Sequence, residues 1–387
     1  MNQMTQMETA QMYLLCQAEG IGQKTIQKLL ERFGTAEAVL GGDTKEMQDL
    51  LTIRQRDALK ALCGKGEAAR RYEAFLKTGL SFVPFTAAEY PARLREIPDP
   101  PKALYVRGML PPEEIPQVAV IGARICSEYG RYMARLFGAE LAQAGVHVVS
   151  GMALGVDSIA QRAALKAGGG VTAVLGCGAD VCYPPENRDL YDSLCMTGCV
   201  ISEYAPGTQP QRHLFPPRNR IISGLADAVL VIEARAKSGT LITVDMALEQ
   251  GRDVYALPGR ATDRLSDGCN ALIKQGAVLA TGVADIMESF YGIGTEISHG
   301  KERTDEGGKQ ERQTDAGQAD AGRFPLPERQ RRILEVLDLV PKSVADVECA
   351  LSLQGDSFAP QELMCMLVEL SLKGLVEQEG SFFLKKI

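Results

Sequence analysis

The sequence predicts an α/β protein whose core is a parallel β-sheet covered by helices on both faces. Short β-branched runs alternate with amphipathic helical segments over residues 80–290, which is the pattern of repeated strand–helix–strand units. The runs are almost wholly apolar, as strands buried on both faces are. The chain has 387 residues, 45% of them hydrophobic, which is enough for two or three globular domains.

Residues 1–78 are predicted to form a small helical domain. Gly20 and Gly22 favour a tight turn, and from Thr25 onward apolar residues recur at helical spacing. Two helices joined in this way resemble a helix-hairpin-helix or SAM-like motif, in which backbone N–H groups at the turn bind a phosphate. A plain helix–helix connection explains the same residues, and both interpretations stay open.

The alternating pattern itself occupies residues 79–292, the predicted core domain. Amphipathic segments at 130–145, 158–168 and 241–251 are predicted connecting helices. Because ligands of such sheets bind beyond the carboxyl ends of the strands, the loops after the strands form the candidate site. The predicted strands cover residues 118–122, 145–151, 171–176, 198–203, 228–234, 253–259 and 277–280.

Two further segments follow the core. Residues 293–323 are polar and lack a hydrophobic period, which predicts a flexible charged linker. Residues 324–387 then show three helical segments and a β-hairpin across Glu379 and Gly380, the order of a winged-helix-like domain. Acidic residues outnumber basic ones in this domain, so contact with a protein is favoured over reading of DNA.

The overall composition restricts the kinds of partner. A net charge of −7 provides no general attraction for nucleic acid, so such a site needs a local basic patch. The ten cysteines include no Cys-x-x-Cys pair and are accompanied by only three histidines, which predicts reduced, mostly buried thiols and no metal site. Neither a signal peptide nor an apolar run of ~20 residues is found, so a cytoplasmic protein without a membrane partner is expected.

Cationic and glycine-rich loops follow the first two strands of the core. After Gly122, Arg124 occupies the position where a dinucleotide-binding fingerprint has its second glycine. The arginine blocks the close approach of a pyrophosphate, but its guanidinium is suited to binding a phosphate. An ion pair with Asp157 is the alternative for Arg124. Ser150 and Gly151 leave the next strand, where their backbone N–H groups either bind a phosphate or satisfy loop carbonyls.

Two more loops carry candidate residues. Lys237 precedes Ser238, Gly239 and Thr240, and this combination of hydroxyl, glycine backbone and helix N-terminus is typical of an anion site. Ser238 as a helix cap alone is the alternative. In the loop after the third strand, Arg188 lies beside the segment YPPEN, and Tyr183 either stacks on a base or fills a gap, with gap filling favoured.

The segment FPPRNR, residues 215–220, adds two arginines just before a core strand. Its prolines predict an extended chain, in which Arg218 and Arg220 share one face and Asn219 takes the other. One or both arginines are expected to bind phosphate, although one buried arginine clamping the loops is an alternative. Together with Arg124, Arg235 and Lys237 they predict a phosphate-binding groove in an acidic protein.

Seven stretches of the core occur in a distinctive order: GAR…SEYG, SGMALGVDSIAQRAAL, VLGCGADVCYPPEN, ISEYAPG, FPPRNRIISGLADAVLVIEA, SGTLIT…ALEQGRDVYALPG and GCNALIKQGA. Together with the lead-in YPARLREIPDPPKALYVRG they closely resemble the DNA-processing protein A family, DprA or Smf, and the match covers roughly residues 85–290. The resemblance implies a helical N-terminal domain, an extended Rossmann-like core and a winged-helix-like tail. By position it assigns DNA contacts to Arg124, Phe215, Arg218, Asn219, Arg220, Ser238, Gly239 and Thr240.

The resemblance also implies a function. Members of this family bind incoming single-stranded DNA without sequence preference during natural transformation, and they form homodimers. They help to load RecA onto DNA that single-strand-binding protein would otherwise cover, without catalysis or a cofactor. Two departures stand out: Gln161 replaces a histidine that many relatives have, and Pro185 replaces a common basic residue, so that contact is expected to be missing or moved to Arg188.

Two other functions are compatible with parts of the pattern. The Gly-Thr loop is similar to that of the LOG phosphoribohydrolases, which act on nucleoside monophosphates with a glutamate three residues after the threonine. Here that position is Thr243, whose hydroxyl carries no charge near neutral pH, so an enzyme is not expected. A scaffold whose loop cations bind an acidic protein surface is the remaining alternative.

Overall fold

The computed structural model describes residues 5–64, 66–291, 327–338, 342–353, 355–356, 358–379 and 382–385. The chain divides into two compact units, Met1–Glu296 and Ile297–Ile387. The predicted linker, residues 293–323, lies outside the described residues. Within the described residues, no helix combines the length and the apolar character needed to cross a membrane.

The first unit begins with five helices. Thr5 and Thr52 start the first and fourth of these through capping boxes. Gly20, with φ of +73°, makes the predicted turn between the first two. The helices bury apolar side chains against the sheet, where the Tyr13 ring lies 5.2 Å from the ring of Phe82. The helices are α1 (Gln6–Cys16), α2 (Gln23–Phe33), α3 (Ala36–Gly41), α4 (Ile53–Leu62) and α5 (Glu67–Leu76), with a 3-10 turn at Thr44–Met47.

A nine-stranded sheet forms the centre of this unit. It contains strands at all seven positions that the sequence predicts, joined in parallel, and two antiparallel strands at one edge. The large, mostly parallel sheet is therefore confirmed. The strands are β1 (Ser81–Pro84), β2 (Ala103–Gly108), β3 (Gln117–Ile121), β4 (His147–Ser150), β5 (Val171–Val174), β6 (Cys199–Ser202), β7 (Ala228–Val231), β8 (Asp253–Ala256) and β9 (Val278–Leu279), in the order β1-β2-β6-β5-β4-β3-β7-β8-β9.

Helices cover both faces of the sheet because successive strand side chains point to opposite sides. Val120 of β3 faces a core shared with Phe137, whereas Ile121 faces a second core shared with Ile222 and Val244. The helices are α6 (Ala92–Arg95), α7 (Glu128–Gln143), α8 (Val156–Lys166), α9 (Arg188–Thr197), α10 (Phe215–Leu225), α11 (Gly239–Glu249), α12 (Asp267–Lys274) and α13 (Val283–Tyr291), with 3-10 turns at Pro185–Asn187 and Arg212–Leu214.

The segment FPPRNR is helical, so the prediction of an extended chain is wrong. Pro216 and Pro217 occupy the first turn of α10. A proline there is tolerated because the first N–H groups of a helix have no intrahelical partner, and its fixed φ already suits a helix. Its side chains therefore follow a period of 3.6 residues and not of two.

The order of the strands creates a crevice. From β3 the chain moves outward through β4, β5 and β6, then returns to the other side of β3 as β7. The loops after β3 and β7 consequently diverge at the carboxyl end of the sheet, which is where open α/β sheets bind ligands.

The described residues of the second unit form three helices and a small antiparallel sheet. Ile333, Leu367 and Phe383 are fully buried in its core. The elements are α14 (Glu328–Val336), β10 (Lys342–Ser343), α15 (Val344–Leu353), α16 (Pro360–Leu372), β11 (Val376–Glu379) and β12 (Phe382–Lys385), with sheet order β10-β12-β11. The winged-helix-like assignment stays a prediction.

A buried histidine makes the stability of the first unit dependent on pH. His147 is 6% exposed, its Nε2 lies 2.8 Å from Thr172 Oγ1, and burial lowers the pKa of His147 to about 4. The unfolded chain takes up this proton near pH 6.5, so stability is present above that pH and is lost as the pH falls toward 4. We expect this residue to account for about 2 kcal/mol of lost stability between pH 7 and pH 5.

Urea unfolding of the wild type and of His147→Gln at both pH values measures this contribution. The variant, which lacks the titrating ring, is expected to lose less stability on acidification. Equal losses in the two proteins would show that His147 does not carry this pH dependence.

Candidate nucleic-acid interface

A groove of about 820 Å³ opens at the carboxyl ends of β3 and β7. Its walls include residues 122–125 of the loop after β3, the first turn of α10 and residues of the segment 235–240 at the start of α11. This is the crevice that the strand order creates, at the strand ends where the sequence predicts the candidate site.

Four cationic side chains line the groove and are exposed: Arg124, Arg212, Arg235 and Lys237. None of the ion pairs and side-chain hydrogen bonds found among the described residues involves them. The carboxylate of the lining, Asp157, is 7% exposed and accepts a hydrogen bond from Gly151 N at 3.1 Å, so the alternative of an Arg124–Asp157 ion pair is not formed. The groove is therefore a local positive patch on a chain whose net charge is −7.

Two aromatic rings lie beside these cations. The Tyr183 and Phe215 ring centroids are 5.5 Å apart, and Arg124 lies 5.8 Å from the Phe215 centroid. The sequence favours gap filling for Tyr183, but the structure leaves the residue 37% exposed in the groove. The geometry thus supports the alternative, an aromatic surface on which a base stacks.

Arg218 is a buried clamp. It is 4% exposed, and its Nη1 donates hydrogen bonds to the carbonyl oxygens of Gly151, at 2.9 Å, and of Val174. Burial lowers the pKa of Arg218 to about 10, which leaves it charged near neutral pH. A Cβ at Gly151 would lie 2.7 Å from the guanidinium, so only glycine leaves room for it. The alternative of one arginine clamping the strand-end loops is what the structure shows for Arg218.

Arg220 lies outside the groove lining. Its side chain is 13% exposed and pairs with Glu203 at 2.7 Å and with Asp99 at 3.2 Å. Because residues two apart on a helix point to nearly opposite sides, Arg220 is directed away from Arg218. Asn219 lines the groove instead. The prediction placed one or both arginines toward the ligand and Asn219 behind them, and for Arg220 and Asn219 the structure shows the reverse.

Three other predicted contacts also lie away from the groove surface. Ser150 is fully buried and donates to Val120 O at 2.6 Å, while the N–H of Gly151 is occupied by Asp157. These groups therefore form hydrogen bonds within the protein, which is the alternative to phosphate binding that the sequence leaves open. Arg188 begins α9, pairs with Asp192 at 3.0 Å and is absent from the groove lining.

The predicted helix N-terminus does face the groove. Ser238 caps α11 by accepting from Thr240 N at 3.2 Å, and Thr240 Oγ1 donates to Gly122 O at 3.2 Å. Gly239 is exposed and has open space around it. Capping and presentation of the positive end of α11 to an anion are thus compatible here.

Sequence reasoning missed Arg212 and Ile125. Arg212 lies in the 3-10 turn that leads directly into α10. Its place beside the groove could be predicted only if residues 215–220 were first recognised as a helix. Ile125 is 83% exposed at the edge of the groove, and no pattern marks it. Within the described part of the chain, no cluster of three or more His, Cys, Asp or Glu residues is placed to hold a metal ion.

A large, mostly parallel sheet covered by helices, with a cationic groove at the reversal of strand order, defines a mixed α/β protein with a candidate ligand site at the strand ends. The sequence model of DNA recombination-mediator protein A matches residues 81–291, and the chain belongs to this family. The resemblance drawn from the motifs is thereby confirmed, as is a DNA-processing role at the level of the family.

Curated relatives and a solved structure agree with this assignment. DNA processing protein DprA of Streptococcus pneumoniae is 46% identical over 201 residues, which are 52% of this chain and 71% of that protein. DNA processing protein DprA of Bacillus subtilis is 36% identical over 243 residues, 61% of this chain and 82% of that protein. The X-ray structure of the S. pneumoniae protein matches with a TM-score of 0.62 at 36% identity, covering 74% of this chain and 98% of that one.

Proposed function

We propose that the groove binds single-stranded DNA without sequence preference. The observation that carries this proposal is the combination of four exposed, unpaired cations with the neighbouring rings of Tyr183 and Phe215. The cations suit successive phosphates, and every base has a face that stacks on an aromatic ring. The bases of a duplex are already stacked on one another, so the rings favour an unpaired strand.

The proposed wider role is that of a recombination mediator in natural transformation. In this role the protein protects incoming single-stranded DNA, and it helps to load RecA where single-strand-binding protein competes for the strand. The support is the description of the matched family, which names a recombination mediator. A homodimer forms part of the proposal, because two grooves on one strand gain affinity through effective concentration. We propose binding without catalysis.

Fluorescence anisotropy with the full chain tests the binding proposal. A mixed-sequence oligonucleotide, an oligo-dT of equal length and the matching duplex are titrated over a range of NaCl concentrations. We expect similar affinity for the two single strands and weaker binding of the duplex. If each of the four cations neutralises one phosphate, the logarithm of the affinity falls with a slope of about −3 against log salt.

Absence of single-strand binding at low salt, or a preference for duplex, would contradict the proposal. Release of free base from a nucleoside monophosphate would instead support the phosphoribohydrolase. Light scattering of the same samples reports the mass in solution and hence the proposed homodimer.

Replacing Phe215 by alanine is expected to weaken single-strand binding about 5- to 150-fold, because stacking contributes about 1–3 kcal/mol per base. The cations remain, so the salt slope should stay within about 0.5 of the wild type. Phe215→Tyr retains the ring and is the matched control. If the alanine variant changes the salt slope as much as the affinity, Phe215 acts by holding Arg124 and not by stacking.

A further inference from the structure

Glu233 is a buried carboxylate at the carboxyl end of the sheet, two residues beyond β7. It is 2% exposed and accepts hydrogen bonds from Ser127 N, at 2.9 Å, and from Ser127 Oγ. Among the ion pairs of the described residues, none involves Glu233. A buried carboxylate without a cationic partner is costly, so its two contacts with a single loop residue call for an explanation.

The N-terminus of α7 provides part of that explanation. Ser127 is the N-cap of this 16-residue helix, and its Oγ accepts from Gly130 N at 3.1 Å. The positive end of the helix therefore stabilises the Glu233 carboxylate. A Cβ at Gly130 would lie 2.2 Å from Glu233 Oε2, so glycine at this position makes room for the carboxylate.

The opposite end of the same loop is also held. Gly122 O accepts from Thr240 Oγ1 at 3.2 Å, and Ala123 O accepts from Val156 N at 3.2 Å. Gly155, at φ of +80°, allows this approach, since its Cβ would lie 2.3 Å from Ala123 O.

The exposed residues between the two fixed ends are Arg124 and Ile125. The backbone that carries Arg124 is thus fastened at Gly122 by Thr240, in the first turn of α11, and at Ser127 by Glu233, which follows β7.

We infer that Glu233 is a positioning residue for Arg124. Through Ser127 it holds the loop 122–127 so that the Arg124 guanidinium stays in the groove, 5.8 Å from the Phe215 ring centroid. The loop anchoring is a property of the protein alone. Its consequence for DNA affinity rests on the proposed function.

A thiol within the loop reports on the anchoring without DNA. Cys126 precedes Ser127 and is 7% exposed, and burial raises the pKa of its thiol. In Glu233→Ala we expect iodoacetamide to modify Cys126 at least about tenfold faster, because local opening exposes the thiol. Glu233→Gln keeps an oxygen that accepts from Ser127 and is expected to react within about twofold of the wild type.

Mass spectrometry of the modified peptides separates the sites. Cys199, fully buried between other strands, is the control for global unfolding. An unchanged Cys126 rate in Glu233→Ala overturns the inference, and so does a rate that rises equally at Cys126 and Cys199.

A double-mutant cycle tests the consequence for DNA. Arg124→Ala and Glu233→Ala are each expected to lower single-strand affinity about fivefold and the salt slope by about 0.7, the effect of one lost phosphate contact. The double variant should bind no more weakly than Arg124→Ala, since both changes remove the same contact. Additive losses overturn the positioning role while the proposed function stands. Failure of the wild type to bind overturns the proposed function, and the Cys126 rates then decide the inference.

Discussion

Replacing Arg218 by alanine is expected to lower the free energy of unfolding by about 3–5 kcal/mol. The change leaves the buried carbonyl oxygens of Gly151 and Val174 without this donor. Burial raises the pKa of Asp157, and the positive charge of Arg218 partly offsets this rise. The substitution removes that charge. The clamp joins the ends of β4 and β5 to α10, so the groove loses part of its floor together with the stability.

Differential scanning calorimetry measures this effect, with the transition of the Met1–Glu296 unit expected to fall by roughly 6–12 °C. Arg188→Ala is the matched control, because Arg188 is exposed and its ion pair with Asp192 contributes little. A loss below about 1 kcal/mol for Arg218→Ala would show that water replaces the guanidinium at no great cost.

The triple substitution of Arg124, Arg235 and Lys237 by alanine is expected to weaken single-strand binding about 100-fold at 0.1 M salt. Each cation that no longer neutralises a phosphate reduces the salt slope by about 0.7, so the slope should fall by about 2. The fold should be kept, because these side chains are exposed and make no ion pair among the described residues. Anisotropy titrations over a salt series measure both quantities.

The matched control removes three exposed cations outside the groove: Arg131, Arg188 and Lys274. It changes the net charge by the same amount but should leave the slope within about 0.5 of the wild type. Equal weakening by both triple variants would point to the overall charge of the protein. Unchanged binding in the groove variant would refute the DNA interface and leave the acidic-partner scaffold as the better account.

Much of the fold follows from local patterns. Seven apolar β-branched runs and the segments between them appear as strands and helices near the predicted positions. The antiparallel strands β1 and β2, at one side of the sheet, were not predicted from the sequence. The parallel strands at the centre of the sheet are recognised easily because burial on both faces demands a continuous apolar run.

The candidate site was predictable at the level of loops and less so at the level of side chains. Arg124, Lys237 and the Ser238–Thr240 segment line the groove, as their places at strand ends and at a helix start suggest. Arg218 and Arg220 do not both face it, because α10 begins at Phe215. One mistaken period, two residues in place of 3.6, was enough to exchange the roles of Arg220 and Asn219.

Sequence alone determined the seven parallel strands, the glycine and cation content of the loops at one edge of the sheet, and family membership through the motifs. These properties depend on neighbours in the chain, and hydrophobic periodicity records them directly. Only the tertiary structure decided which of these cations stay available in the groove and which are held by hydrogen bonds or ion pairs within the protein. Arg218 meets carbonyls that lie 67 and 44 residues away, and Arg220 meets an acid 17 residues away. Contacts between distant parts of the chain leave no periodic trace, so the difference between a buried clamp and a free phosphate ligand appears only when the chain is folded.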